Sequence, residues 1–190
     1  MEVELDYGRG SLTVRLPEGC EVTEIRKRPG QALADPRGAV IDALANPVDA
    51  APLSELARGR SSACILICDI TRPVPNGLFL RPMIETLMAA GLAPSAITVL
   101  IATGLHRPNE GEELKQLIGC PWVLETVRVE NHFARDAAAH VDLGVTRGRG
   151  VPVSLDRRFV SADLRIVTGL VEPHFMAGYS GGRKVIAPGI

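Results

Sequence analysis

Three short, mostly apolar runs constrain this fold most: residues 63–68 (ACILIC), 96–102 (AITVLIA) and 164–170 (LRIVTGL). Each is rich in Ile, Val or Leu and gives way to a polar or glycine-bearing segment, the pattern of a strand covered on both faces. Helical spacing lies between them. In residues 78–90, Leu80, Met83, Ile84, Leu87 and Met88 share one face, with Asn76 as a cap, Pro82 in the early turns and Gly91 as the stop. Asn109-Glu-Gly-Glu112 opens the next helix, which carries Leu114, Leu117 and Ile118 and ends at Gly119. Shorter elements are expected as a strand at 126–129, a helix at 133–140 and a β element at 151–155. This alternation predicts an α/β fold, an open, mostly parallel Rossmann-like sheet flanked by helices. No GxGxxG follows the first run, so the usual dinucleotide fingerprint is missing.

Residues 1–60 read as a small β-containing N-terminal segment. Residues 12–16 alternate as a half-buried strand and Pro17-Glu-Gly19 turns the chain. A second strand is expected at 22–25, a helix at 37–45, and a short helix at 54–57 closing at Gly59. The chain of 190 residues is read as a single domain, 1–190. With 21 Lys+Arg against 22 Asp+Glu it has no basic footprint for nucleic acid, and 46% hydrophobic residues exclude a disordered chain. No run approaches the roughly 18 apolar residues that span a bilayer. The N-terminus lacks a basic–apolar leader, and a cytoplasmic location is expected. Cys64 and Cys68 fall on one side of their strand as buried thiols, and no matching pair elsewhere completes a zinc site.

Ligands of parallel sheets bind beyond the carboxyl ends of the strands. After the first run come Asp69 and Arg72, and after the second Thr103-Gly-Leu-His-Arg-Pro108, with His106. After the third come Glu172-Pro-His174 and Gly178-Tyr-Ser-Gly-Gly-Arg-Lys184. Arg72 is either a surface partner of Asp69 or a fork for a substrate carboxylate. His106 and His174, on two strand ends, suit an acid–base pair on opposite faces of one carbon, although two histidines also occur in hydrolases and metal sites. Gly181 and Gly182 let the backbone approach an anion, and Lys184 serves as its charge partner or as a nucleophilic amine. His132 and His140 read as structural. Gly178-Tyr-Ser-Gly-Gly182 matches G-x-S-x-G, but no histidine follows Ser180 and the preceding strand ends too early for a nucleophile elbow.

These blocks, Asp69-Ile-Thr-Arg-Pro-Val-Pro-Asn76, Thr103-Gly-Leu-His-Arg-Pro108, Glu172-Pro-His174, Gly178 to Lys184 and Pro188-Gly-Ile190, resemble the N-terminal domain of the nickel-dependent lactate racemase family. The resemblance covers roughly residues 60 to 190. It implies a nickel pincer nucleotide, a pyridinium mononucleotide joined to the lysine matched by Lys184. It further implies His106 and His174 as the acid–base pair, Arg72 near the substrate carboxylate and Asp69 beside it. The implied reaction moves hydride between C2 of a small 2-hydroxy acid and the cofactor, while histidines move the hydroxyl proton. Family members continue to a nickel-ligating histidine and a C-terminal domain that do not occur in these residues. The expectation is therefore an N-terminal fragment, inactive alone. Two alternatives stand beside it: a non-catalytic module binding an anion or nucleotide, and a serine hydrolase using Ser180.

Overall fold

The computed structural model describes residues 1–8, 10–23, 25, 28 and 30–190. It divides into two units, Met1–Ala32 and Leu33–Ile190. In the first, β1 (Glu2–Tyr7) pairs antiparallel with β2 (Gly10–Arg15), from Glu2 opposite Arg15 to Tyr7 opposite Gly10. Val3 faces Val14, and the Arg15 guanidinium meets Glu2 at 2.7 Å in solvent. The alternation Glu2-Val3-Glu4-Leu5-Asp6 already carried the period of β1, which its acidity masked. The strand expected at 22–25 is not found at Val22, Thr23 or Ile25, and Glu24 lies outside the described residues.

The second unit runs α1 (Pro36–Ala45), α2 (Leu53–Ala57), β3 (Ala63–Cys68), α3 (Asn76–Ala89), β4 (Ile97–Ala102), α4 (Gly111–Ile118), α5 (Pro121–Thr126) and β5 (Arg128–Asn131). It continues through β6 (His140–Val145), β7 (Pro152–Asp156), α6 (Arg157–Ser161), β8 (Leu164–Val167), β9 (Pro173–His174), β10 (Gly178–Tyr179) and α7 (Arg183–Ile186). The sheet has the order β5–β4–β3–β8, all parallel. β3 is buried along its whole length and separates two apolar layers. Ala63, Ile65 and Ile67 pack with Leu80, Ile84, Leu87, Ile118 and Val123 from α3, α4 and α5. Cys64, Leu66 and Cys68 pack with Leu100, Phe159 and Val185 on the opposite face. Each buried Leu or Ile contributes roughly 1.5–3 kcal/mol, so the helices on both faces are fixed by the strands they cover.

Several expectations need correction. Asn76 does not cap α3: it is the first helical residue after Pro75, and its buried Nδ2 donates to Leu117 O at 3.0 Å. This bond joins the start of α3 to the end of α4, where Gly77 lies so close that an added Cβ would sit 2.7 Å from Gly119 O. The third strand stops at Val167; the Thr168 N–H makes the last rung of its ladder, to Leu66 O, which the Thr168 hydroxyl also reaches. The expected helix at 133–140 shrinks to one 3-10 turn, Ala137–Ala139, and the expected strand at 126–129 begins only at Arg128. α5 and α6 were not foreseen, and β7 pairs with an unforeseen β6.

A buried charge cluster locks β5 to β7 and α6. Asp156, fully buried, accepts the Arg158 backbone N–H at 3.0 Å, the Arg158 guanidinium at 2.6 Å and His132 Nδ1 at 3.1 Å. Arg158 also reaches Glu130 at 2.7 Å and Asn131 O at 3.0 Å. Burial works against the charge on Asp156, but the Arg158 and His132 hydrogen bonds outweigh it and hold the carboxyl far below its usual range. Removing Asp156 leaves the buried His132 ring without its carboxylate and takes one partner from Arg158, which keeps Glu130. Asp156→Ala should therefore cost about 3 kcal/mol in urea unfolding. A folded-state pKa held low gives stability that is full above the unfolded value, about 3.9, and is lost only as pH falls through the folded one. The gap between parent and variant should stay constant from about pH 5 to 8 and close only in strong acid.

Candidate functional site

Parallel pairing sends the loops after β3, β4 and β8 off the same edge of the sheet. Asp69, the first residue past β3, is 5% exposed. Its Oδ1 accepts the Thr71 hydroxyl at 2.6 Å, and its Oδ2 lies 2.6 Å from His106 Nδ1. His106 comes from the loop after β4, in a turn closed by its own N–H on Thr103 O at 2.9 Å. That loop is anchored twice. The Thr103 hydroxyl donates to His132 O at 2.6 Å, and Gly104, at φ +55°, donates its N–H to Gly189 O at 3.0 Å.

The loop after β8 is organised by Ser180. Its N–H donates to Glu172 O at 2.9 Å, its hydroxyl donates to Leu170 O at 2.6 Å, and its Oγ accepts the Glu172 N–H at 3.2 Å. Buried and committed to a carbonyl, this hydroxyl has no imidazole to take its proton, as a hydrolytic nucleophile requires. Next to it Gly181 sits at φ +69°, where a Cβ would lie 2.8 Å from Leu170 O, so only glycine fits. Arg72 reaches across to Glu172 at 3.3 Å, a partner 100 positions away, and not to Asp69.

Between these loops lies a cavity of about 430 Å³, within the range of roughly 300–1,000 Å³ common to small-molecule sites. Of the residues singled out in the sequence, Asp69, Arg72, His106, Ser180, Gly181 and Lys184 line it; Gly182 and His174 do not. Among the described residues no carboxylate pairs with Lys184. His174 is half-buried in β9, and its Nδ1 accepts the N–H groups of Met176 at 3.2 Å and Ala177 at 3.1 Å. Cys68, Thr71, Thr103 and Met176 also line the cavity and were not foreseen. Cys68 ends its strand facing the opening; burial pushes its thiol pKa up, and that of Cys64, deeper in the strand, to about 12. Such thiols stay protonated and inert. The site thus offers an imidazole backed by a carboxylate, a guanidinium and an unpaired amine around one opening, a set suited to holding an anion while moving a proton.

Comparison with known proteins shows which family the chain resembles. The family model for the lactate racemase N-terminal domain matches residues 7–190. A lactate racemase from Thermoanaerobacterium thermosaccharolyticum is 33% identical over 190 residues, covering 99% of this chain and 44% of that protein. A lactate racemase from Lactiplantibacillus plantarum is 37% identical over 148 residues, covering 77% of this chain and 34% of that protein. The structure of the lactate racemase apoprotein from T. thermosaccharolyticum matches all of this chain and 44% of its own, with a TM-score of 0.82 at 32% identity. A crystal structure from Thermotoga maritima shares the fold, with a TM-score of 0.64 at 22% identity over 81% of this chain and 38% of that one. The chain therefore spans less than half the length of the curated relatives it matches.

The Gly181 turn combines a left-handed backbone with a close approach to Leu170 O. Gly181→Ala should lower stability by about 2 kcal/mol in chemical denaturation, through the forced left-handed backbone and the clash with Leu170 O.

Proposed function

The chain belongs to the lactate racemase N-terminal domain family, and from that premise we propose that it supplies the acid–base and cofactor-holding side chains of a 2-hydroxy acid racemase or epimerase. One observation carries the reading: the Asp69–His106 pair and the unpaired amine of Lys184 face the same cavity.

The residues present fit the implied nickel pincer nucleotide. The cavity is of small-molecule size. Lys184 lines it, and among the described residues no carboxylate pairs with its amine, which leaves that amine for a thioamide. Among the described residues no group of three or more His, Cys, Asp or Glu side chains is arranged to hold a metal ion. In this reading the metal's donors come with the nucleotide and from the histidine, outside these residues, that the resemblance implies. When bound, the group would supply uptake and return of hydride at C2 of the substrate.

The protein's own residues then bind, orient and manage protons. Arg72 keeps N–H groups beyond the one given to Glu172, and these suit a substrate carboxylate. Asp69 has both oxygens engaged, by Thr71 and His106, so it acts on His106 instead of touching the substrate. With Nδ1–H directed at Asp69, His106 keeps Nε2 free to take the hydroxyl proton as C2 is oxidised, and Asp69 stabilises the imidazolium that forms. His174 is the acid–base partner for the opposite face. Among the described residues no helix is long and apolar enough to cross a membrane.

In a protein of the relatives' length, coexpressed with the enzymes that make the nucleotide, peptide mass spectrometry after proteolysis should find the added group on the peptide containing Lys184. An active protein with unmodified Lys184 would overturn the attachment. His106→Ala and His174→Ala should each lower racemisation by roughly 10²–10⁴, and full activity in either would reject its acid–base role.

A further inference from the structure

The two histidines assigned to proton transfer are held by opposite kinds of partner, and this has a chemical consequence. His106 Nδ1 lies 2.6 Å from a carboxylate oxygen of Asp69, whose other oxygen already accepts the Thr71 hydroxyl. A carboxylate only accepts, so the proton of the neutral ring sits on Nδ1 and Nε2 carries a lone pair. His174 Nδ1 faces two backbone amides, Met176 at 3.2 Å and Ala177 at 3.1 Å. An amide N–H only donates, so here Nδ1 carries the lone pair and the proton sits on Nε2.

We propose that the two rings are fixed in opposite tautomers, and that in this conformation only His106 can exchange a proton through Nε2. The proposal rests on the reading of both as an acid–base pair. A neutral ring with Nε2–H has no lone pair there to accept a proton, and losing that proton would leave an imidazolate. For His174 to become the imidazolium, Nδ1 must be protonated, and both amide bonds must break. His174 as held is a ring whose Nε2 can only donate. Proton exchange at His174 therefore requires the segment 174–177 to release Nδ1. The two faces of the substrate are then served unequally: His106 acts at once, whereas His174 acts only after this local opening. The inequality resides in the rings and their loop. It does not appear in the ratio of kcat/KM for the two enantiomers, which their equal free energies fix.

The remaining histidines supply internal references. His132 Nδ1 faces Asp156 at 3.1 Å and His140 Nδ1 faces the Asp136 carbonyl at 2.7 Å, both acceptors. Three of the four rings should therefore carry the proton on Nδ1, with His174 as the exception. Long-range ¹H–¹⁵N correlation on the labelled 190-residue chain at about pH 8.5, above the ordinary imidazole pKa of about 6.5, reads this directly. Assignment uses His106→Gln and His174→Gln. The expected result is pyridine-type Nδ1 with pyrrole-type Nε2 for His174, and the reverse for His106. Asp69→Ala should move His106 toward a mixture of both forms and leave His174 unchanged. Amide exchange at Met176 and Ala177 should be slowed about tenfold and should lose that protection in His174→Ala. A pyrrole-type Nδ1 on His174, one pattern shared by both rings, or amide exchange indifferent to His174→Ala would overturn the proposal. None of these readouts uses activity, so their failure is separate from a failure of the racemase reading, which the Lys184 modification tests.

Discussion

Parallel strand pairing is the constraint from which the rest follows. A strand that pairs parallel on both sides, as β3 does with β4 and β8, gives the chain no hairpin return, so every connection crosses over through helices. Each strand then delivers its outgoing loop to the same edge. Asp69, His106 and Lys184 approach one another for this topological reason, although they are far apart in the chain. Burial of β3 on both faces keeps the edge in register, because a slip by one residue would exchange Ile65 and Ile67 with Cys64 and Leu66 between layers.

That constraint also decides what the sequence could show. Complete burial writes a continuous apolar run, so β3 and β4 were legible to within a residue. Their helices were legible from periodicity and from Gly119 at a left-handed stop. The loops that bear Asp69, His106 and Lys184 were legible because each follows such a run. Interactions that join distant segments were not. Nothing local marks Asn76 as a bracket for Leu117, Arg72 as a partner of Glu172, or His132, Asp156 and Arg158 as one cluster. β8 is only partly buried, and its apolar pattern continues past the last paired residue, so its end could not be read. α5 and α6 are too short for a period to emerge. His174 was legible as a residue of interest, but its amide partners follow from how segment 174–177 folds back on the ring.

The same chemical pair, carboxylate and imidazole, occurs twice with different outcomes. In His132–Asp156 the side chains are 1% and 0% exposed, and the pair is further clamped by Arg158, so it serves as internal mortar. In Asp69–His106 the carboxylate is buried and the imidazole is 58% exposed, so one side is fixed and the other is open to a ligand. Exposure, not residue identity, separates the structural pair from the one proposed to react. The two are physically linked, since the Thr103 hydroxyl on the His106 loop is bonded to the His132 carbonyl.

The bond from Thr168 back to Leu66 spans 102 positions. During synthesis, the β8 edge of β3 must wait unpaired until that distant partner emerges, with its apolar faces only partly covered by α2, α3 and β4. Long-range parallel contacts of this kind close slowly, because loop entropy must be overcome before any of them forms. The cavity is thus among the last parts of the molecule to assemble. Until it does, the nascent chain carries an open, sticky strand edge, a window in which chaperone capture competes with self-association.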